Sequence, residues 1–128
     1  SERLSTLHGK PVVINFWASW CPPCTAELPY FERLAQTYGD KVTIVTVDWD
    51  EQPGIASAYL RSHDIALPVV NDQQSNIYKA YSLSEVPDTL VLDAQGNVTY
   101  VSVGELSWHE LDGAVQHVLT APLAPAAP

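Results

Sequence analysis

The stretch that decides the fold is VVINFWASWCPPC at residues 12–24, a short apolar run that leads directly into two cysteines. The run predicts a buried strand within Pro11–Ala18, because β-branched and aromatic residues favour strands. Apolar residues spaced i, i+3, i+4 and i+7 from Phe31 to Tyr38 then predict a helix over Thr25–Tyr38. The two cysteines therefore lie at the junction between a strand and a helix.

The rest of the chain continues to alternate strands with helices. Further strands are predicted at Val42–Asp48, Leu67–Asn71, Thr89–Asp93 and Val98–Val103, and further helices at Ile55–His63 and Ser75–Tyr81. A last helix begins after Ser107, which forms a capping box with Glu110. Strand–helix–strand units indicate parallel pairing and the final hairpin adds an antiparallel part, so we expect one mixed sheet covered by helices.

The length and composition indicate one domain. The chain has 128 residues, 46% of them hydrophobic, which suits a single core at residues 1–120. Alanine and proline make up nearly all of residues 121–128, which we expect to form a flexible tail. No run reaches the roughly 18 apolar residues that a membrane helix needs. Because the chain starts with serine and lacks methionine, we expect a processed product from which any signal peptide or membrane anchor has been removed.

The net charge of the chain limits the kinds of molecule that it is expected to bind. The formal net charge is −9, from 15 acidic and 6 basic residues, which argues against binding to nucleic acid or to an anionic membrane. The acidic residues either form a solvated surface that favours solubility or line a groove that recognises a basic partner.

Only two cysteines are present, Cys21 and Cys24, three positions apart. A structural disulfide between them would close a very short loop and restrain little entropy of the unfolded chain. A structural zinc site usually needs four ligands, and the four histidines are scattered without ligand spacing. Redox chemistry is the interpretation that uses both thiols, and it needs no metal or organic cofactor because the two sulfurs carry the electrons.

A strand-to-helix junction suits this chemistry because only a thiolate attacks a disulfide. Cys21 would lie at the amino end of the helix, where unpaired N–H groups and the helix dipole stabilise negative charge. Pro22 fits the first helical position, which can spare its N–H group. Cys24 follows one turn later, where it can attack the mixed disulfide and release the reduced substrate.

The residues from Phe16 to Cys24, with Glu27-Leu28-Pro29 after them, resemble the thioredoxin superfamily. They are most similar to its TlpA/ResA/DsbE (CcmG)-like branch, and the similarity continues through Val86-Pro87-Asp88-Thr89. It covers nearly everything from about Leu4 to Leu119. The resemblance implies a thioredoxin-like three-layer α/β fold, with a mixed central sheet flanked by helices.

The resemblance also implies an activity and a setting. It predicts a monomeric protein-disulfide reductase that delivers electrons to cysteine-containing client proteins, including apocytochrome c, and is recharged by a membrane thiol reductant. The expected location is periplasmic or otherwise extracytoplasmic, with a membrane anchor in the full-length precursor.

Individual residues carry the resemblance over to this sequence. Val86-Pro87 matches the position of a cis proline opposite the cysteines, where the Val86 backbone can pair with an extended substrate segment. Trp20 resembles an exposed tryptophan at the recognition surface, beside Pro22 and Pro23. These five residues are the predicted substrate-binding set.

Two polar positions bear on proton transfer. Cytosolic thioredoxins have a buried aspartate at the position of Asn15, and an amide cannot accept the proton of Cys24. Glu27 matches a glutamate of the ResA-like branch, and it is either a partly buried proton acceptor with a raised pKa or an exposed carboxylate. Glu85 and Asp88 are expected as surface acids around the cis proline, which suits a basic or haem-binding-site partner.

Three other functions remain open. A disulfide oxidant or isomerase on the same fold differs only in reduction potential, which depends on the relative stability of the thiolate and disulfide forms. A copper carrier would use both thiolates as soft ligands, although related carriers have CxxxC spacing and a distal histidine. A redox-inert interaction module would make no use of the cysteines.

Overall fold

The computed structural model of the protein describes residues 9–49, 51–81, 83 and 85–120. The strands are β1 (Val12–Trp17), β2 (Thr43–Trp49), β3 (Val69–Asp72), β4 (Asp88–Leu92) and β5 (Val98–Val103). The helices are α1 (Pro22–Tyr38), α2 (Ile55–Ser62), α3 (Asn76–Ala80) and α4 (Trp108–Thr120), with a 3₁₀ turn at Gly39–Lys41. Each predicted strand and helix is present, with ends displaced by a few residues. Leu4 and the predicted tail at residues 121–128 lie outside the described residues.

The described strands form one sheet in the order β3-β2-β1-β4-β5. β1 pairs with β2 in parallel, and β2 pairs with β3 in parallel. β4 runs antiparallel to β1 and to β5, with which it forms the predicted hairpin. The mixed sheet expected from the sequence is therefore confirmed.

β1 is the middle strand of the sheet, and all six of its residues are buried. Its side chains alternate between the two faces of the sheet. Val13 and Trp17 pack in a cluster with apolar residues of α1, α2 and α4. Ile14 and Phe16 pack in a second cluster on the other face, together with Tyr78 of α3. Helices thus cover both faces, which is the three-layer arrangement that the resemblance implies.

Helix α1 begins at Pro22, three residues before the predicted start at Thr25. Its first turn contains two prolines, which lack the N–H groups that a first turn leaves unpaired in any case. The side chains that α1 buries, Cys24, Glu27, Leu28, Phe31 and Leu34, lie along one face. Both cysteines are therefore fixed to the first turn of a helix that is anchored in the core.

Helix α4 begins with the predicted capping box. The Ser107 N–H donates to the Glu110 side chain at 3.2 Å, and the Glu110 N–H donates back to Ser107 Oγ at 3.1 Å. Leu106 and Leu111, which flank the box, are both buried. None of the helices within the described residues is long and apolar enough to cross a membrane.

Candidate active site

Cys21 and Cys24 lie where β1 ends and α1 begins, and a disulfide joins them. Cys21 is the N-cap residue of α1, with an extended backbone at φ −104° and ψ 105°. The Cys21 N–H donates to the Ala18 carbonyl at 3.2 Å, which closes a tight turn over Ser19 and Trp20. The turn places the first cysteine at the amino end of the helix, as the sequence predicts.

The surroundings of Cys21 favour a negative charge on its sulfur. The Cys24 N–H points at Cys21 Sγ, with a distance of 3.3 Å between nitrogen and sulfur. This N–H belongs to the first turn of α1, where the helix dipole also favours an anion. A thiol in this position ionises more readily than free cysteine. Cys21 is 5% exposed and Cys24 is fully buried, so an incoming disulfide meets Cys21 first.

The Val86–Pro87 peptide bond is cis, as the sequence resemblance implies. Cys21 Sγ lies 4.0 Å from the Val86 carbonyl oxygen, so the bond faces the cysteines. The Pro87 carbonyl is already occupied, since it accepts a hydrogen bond from the Gly104 N–H at 2.7 Å. Val86 therefore supplies the main-chain carbonyl next to the reactive sulfur.

The remaining members of the predicted substrate-binding set lie at the surface around Cys21. Trp20 is 56% exposed, and Pro22 and Pro23 are exposed as well. Val86 is half-buried, whereas Pro87 is buried beneath it. An apolar surface thus surrounds a nearly buried sulfur, which is an arrangement suited to contact with another protein.

Glu27 is fully buried, one helical turn after Cys24, so the exposed alternative for this residue is wrong. Its Oε2 accepts a hydrogen bond from the Leu106 N–H at 2.7 Å, and its Oε1 accepts one from Asn15 Nδ2 at 3.4 Å. Burial raises the pKa of Glu27 to about 7, although both hydrogen bonds act in the opposite direction. A carboxyl with this pKa can exchange a proton near neutral pH. Its role as the proton acceptor of Cys24 stays a prediction.

Asn15 connects Glu27 to the strand that follows the cis proline. Its Nδ2 lies within hydrogen-bond distance of three acceptors, Glu27 Oε1, the Asp88 carbonyl oxygen at 3.3 Å and Thr89 Oγ1 at 3.4 Å, which share its two N–H groups. The side chain is fully buried. An amide fits here because it donates to a carboxylate, where an aspartate would place a second negative charge.

The prediction that Asp88 is a surface acid is wrong. Asp88 is fully buried at the start of β4, in register with Phe16 of β1, whereas Glu85 is exposed. Burial raises the pKa of Asp88 to about 6. The residue after the cis proline turns its side chain inward because strand β4 begins there, so only Glu85 of this pair contributes to the surface.

A pair of acidic residues that the sequence analysis did not single out lies behind the cysteine turn. Asp48 is buried at the end of β2, and Glu51 is 8% exposed just after it. The Glu51 carboxylate accepts hydrogen bonds from both the N–H and the hydroxyl of Ser19. The signal available in the sequence was positional, because the carboxyl ends of the adjacent parallel strands β1 and β2 meet at one edge of the sheet.

Within the described residues, no group of three or more His, Cys, Asp or Glu side chains is placed to hold a metal ion. The two sulfurs of Cys21 and Cys24 are the groups at this site that can carry electrons.

Comparisons with known proteins agree with this geometry. A model of the redoxin family matches residues 2–118, a range that includes both cysteines, Glu27 and the Val86–Pro87 bond. The thiol-disulfide oxidoreductase ResA of a Bacillus cereus strain is 34% identical over 117 residues, covering 91% of this chain and 68% of the relative.

Two solved structures extend the likeness to the fold. A thiol:disulfide interchange protein of the thioredoxin family from Chlorobium tepidum TLS superposes with a TM-score of 0.78 at 30% identity, covering 90% of this chain and 83% of that chain. A secreted disulfide oxidoreductase of Mycobacterium tuberculosis, homologous to E. coli DsbE, superposes with a TM-score of 0.76 at 29% identity, covering 88% and 84%. These matches confirm the thioredoxin-like fold that the sequence resemblance implies.

Proposed function

The chain belongs to the redoxin family and is a thiol–disulfide oxidoreductase with a Cys21–Cys24 pair, and on this premise we propose that it reduces disulfides of client proteins outside the cytoplasm. The observation that carries the proposal is the position of Cys21 Sγ. It caps α1, lies 3.3 Å from the Cys24 nitrogen and faces the Val86 carbonyl beside the cis bond. This arrangement stabilises a thiolate at a place that a second chain can reach.

The first step joins the protein to its client. The Cys21 thiolate attacks one sulfur of the client disulfide, and the bond between the two client sulfurs breaks. The departing client sulfur takes up a proton, and the other stays bound to Cys21 as a mixed disulfide. The helix amino end and the Cys24 N–H stabilise the thiolate before this attack.

The second step releases the client. Cys24 loses its proton, attacks Cys21 Sγ and forms the intramolecular disulfide, while the second client sulfur leaves as a thiolate. The two electrons that reduce the client thus come from the cysteine pair. Glu27 accepts the Cys24 proton in this proposal, since it follows Cys24 by one turn and burial raises its pKa to about 7. A membrane thiol reductant then returns the pair to the dithiol state.

The client is held as an extended segment next to the cis bond. The half-buried Val86 offers its backbone to a strand of the client, as in other cases of strand addition. The exposed ring of Trp20 and the exposed Pro22 and Pro23 provide apolar contacts on the other side of the sulfur. Cysteine-containing proteins, among them apocytochrome c, are the proposed clients.

The relatives support thiol–disulfide exchange and a location outside the cytoplasm. The chain is similar to ResA of B. cereus, a thiol-disulfide oxidoreductase, and to a secreted M. tuberculosis oxidoreductase homologous to DsbE. We therefore propose the periplasm or another extracytoplasmic compartment as its location, and we propose separately that it acts as a monomer. Cytochrome c maturation is the pathway in which we expect its clients.

Trapping of clients tests the proposal directly. In Cys24→Ser the second step cannot occur, so clients should accumulate as mixed disulfides on Cys21 that mass spectrometry identifies after non-reducing purification. The double variant Cys21→Ser, Cys24→Ser is the matched control and should trap nothing. If Cys24→Ser yields no adduct on expression outside the cytoplasm, Cys21 is not the attacking thiol.

The direction of electron flow has its own test. Potentials of thioredoxin-like proteins run from about −270 mV for reductants to about −120 mV for strong oxidants. Equilibration of the purified protein with glutathione buffers should place the Cys21–Cys24 pair toward the reducing end. A potential near the oxidising end would remove the reductase role and favour a disulfide oxidant instead.

A further inference from the structure

The turn that precedes Cys21 donates two hydrogen bonds to a single carboxylate. Glu51 Oε1 accepts a hydrogen bond from the Ser19 N–H at 2.7 Å, and Glu51 Oε2 accepts one from the Ser19 hydroxyl. Ser19 is an inner residue of the turn that the Cys21 N–H closes onto the Ala18 carbonyl. The carboxylate therefore fixes the main chain two residues before the reactive sulfur.

Glu51 is itself held by buried neighbours. Its backbone carbonyl accepts a hydrogen bond from Asn71 Nδ2 at 3.0 Å, and the same amide donates to Asp48 Oδ2 at 3.3 Å. Asp48 is 1% exposed, and its Oδ1 receives no hydrogen bond from any described residue. Glu51 is thus tied to the ends of both β2 and β3.

The surroundings of the two carboxyl groups favour a proton on Asp48 and a negative charge on Glu51. Burial, followed by the hydrogen bond and the charge of Glu51, raises the pKa of Asp48 to about 8. Burial alone would raise the pKa of Glu51, but hydrogen bonds from Asp48 and Ser19 outweigh it and hold that pKa below its usual range. Glu51 is then the ionised partner, and hydrogen bonds to an ionised acceptor are about twice as strong as neutral ones.

Trp49, the last residue of β2, also contacts this turn. Trp49 packs against Trp20, with ring centroids 6.0 Å apart, and stacks on Tyr78 of α3 at 4.7 Å. The end of β2 and the loop after it therefore contact both inner residues of the turn: Glu51 of the loop contacts Ser19, and Trp49 of the strand contacts Trp20.

We propose that Glu51, backed by Asp48 and Asn71, is a positioning residue for thiol–disulfide exchange: it clamps Ser19 and thereby holds Cys21 at the amino end of α1. The inference rests on the proposed role of Cys21 as the attacking thiol. Glu51 contacts neither sulfur in the structure and acts through the turn. Without the clamp, Cys21 Sγ no longer keeps its alignment with the Cys24 N–H, and its thiolate loses part of its stabilisation.

The test is the ionisation of Cys21 in the reduced protein, measured as the rate of alkylation with iodoacetamide between pH 4 and 10. In Glu51→Ala the pKa of Cys21 should move toward that of free cysteine, with an alkylation rate at pH 7 that falls about five-fold. Glu51→Gln should stay within about two-fold of the parent, because its amide oxygen accepts from the Ser19 N–H and its NH₂ can donate to the hydroxyl. Asp93→Ala is the matched control, since Asp93 accepts the Gln95 and Asn97 N–H groups in the turn at the far end of β4.

A double-mutant cycle of Ser19 and Glu51 provides a second measurement. Ser19→Ala removes one of the two hydrogen bonds and should give a smaller loss of rate. Once Glu51 is alanine, adding Ser19→Ala should cause no further loss, because both changes break the same contact. If Glu51→Ala does not fold, the cycle cannot be completed, and Ser19→Ala and Glu51→Gln are each compared with the parent instead. Ser19→Ala should then lower the alkylation rate and Glu51→Gln should not, and equal rates for Ser19→Ala and the parent would contradict the clamp.

Different results would overturn the two proposals. If Glu51→Ala alkylates at the parent rate, or if Glu51→Gln shifts the thiol pKa in the same way as Glu51→Ala, the clamp is not the cause. A lowered thiol pKa in both variants would show that Glu51 acts through its charge alone. Mass spectrometry of the alkylated parent separates the proposals, because labelling at Cys24 instead of Cys21 would contradict the proposed function itself.

Discussion

Glu27 shows at the scale of one residue how burial can prepare a carboxyl group for proton transfer. The side chain is enclosed between α1, the start of α4 and Asn15 of β1. Its two donors, the Leu106 N–H and Asn15 Nδ2, are polar but uncharged, so they reduce the cost of burying the charge without removing it. The result is a pKa of about 7, within the range where a general acid or base works best near neutral pH.

Glu27→Gln should slow the second step of the reaction while leaving the first step intact. Glutamine keeps an acceptor for the Leu106 N–H but cannot take the Cys24 proton, so release of a bound client peptide should slow about a hundredfold. In the parent, the release rate should rise with pH through about 7, as Glu27 loses its proton. This rise should be absent in the variant. Rapid-mixing measurement of peptide release from a preformed mixed disulfide checks both expectations.

Glu32→Gln is the matched control, since Glu32 lies on the same helix and its side chain accepts from the Ala66 N–H. It should release the peptide at the parent rate. Equal rates and equal pH profiles for the parent and Glu27→Gln would mean that Cys24 gives its proton to another acceptor.

Sequence reasoning predicted single residues well where one element decides their environment. The position of Cys21 at the amino end of the helix and of Pro22 as its first residue follows from local rules, and the structure has both residues there. The burial of Glu27 and Asp88 depends instead on α4 and on the start of β4, which are distant in sequence. No local pattern distinguishes such a buried carboxylate from an exposed one. The sequence analysis therefore leaves both alternatives open for Glu27, and its prediction of an exposed Asp88 is wrong.

At the scale of elements, α3 depends on a residue outside it. Asp72, at the end of β3, accepts hydrogen bonds from the Ile77 N–H at 3.0 Å and the Tyr78 N–H at 2.9 Å. Ser75, the residue before the helix, makes no capping bond. A helix of five residues is too short to be stable alone, so this anchor and the packing of Tyr78 against Phe16 hold it on the sheet.

Asp72→Ala should lower the free energy of unfolding by about 1–2 kcal/mol, because two N–H groups at the start of α3 lose their acceptor. Asp72→Asn, which keeps one carbonyl acceptor, should lose less. Ser75→Ala should leave the stability unchanged. Urea unfolding followed by tryptophan fluorescence gives all three values, and an Asp72→Ala variant as stable as the parent would show that packing alone holds α3.

The elements themselves were more predictable than the contacts between them. The alternation of apolar runs gave the order of strands and helices, and the hairpin at β4–β5 and the cap of α4 follow from short motifs. The Ser19–Glu51 clamp joins a turn after β1 to a loop after β2. Its recognition requires the parallel register of those two strands, which periodicity alone does not supply.

At the scale of the whole molecule, acidic residues lie in the interior as well as at the surface. The chain has a formal net charge of −9, and the fold buries four carboxyl groups around the active site, those of Glu27, Asp48, Glu51 and Asp88. Burial, as the largest cause in each case, raises the pKa of Asp88 to about 6, of Glu27 to about 7 and of Asp48 to about 8. All three are therefore easier to accommodate when protonated.

The stability of the protein should consequently fall as the pH rises from 5 to 8. A carboxyl group with a higher pKa in the folded than in the unfolded state binds its proton more tightly when folded. Its contribution to stability is complete below the unfolded pKa, near 4, and disappears as the pH passes the folded pKa values of about 6 to 8. Repulsion among the surface acids acts in the same direction. The expected loss of unfolding free energy is at least about 2 kcal/mol, since each pKa unit by which the folded value exceeds the unfolded one corresponds to about 1.4 kcal/mol.

Urea unfolding of the oxidised protein at pH 5, 6.5 and 8 measures this loss, since the disulfide keeps both thiols from titrating. Asp48→Asn should flatten the profile, because its amide stays neutral and still accepts from Asn71. Asp93→Asn removes one negative charge from the far turn and should keep the parent's downward slope. The pKa of Asp93 is lowered by hydrogen bonds from the Asn97 and Gln95 backbones, so its own contribution is already complete above pH 5. A urea midpoint that rises between pH 5 and 8 would contradict the raised pKa values of Asp88, Glu27 and Asp48.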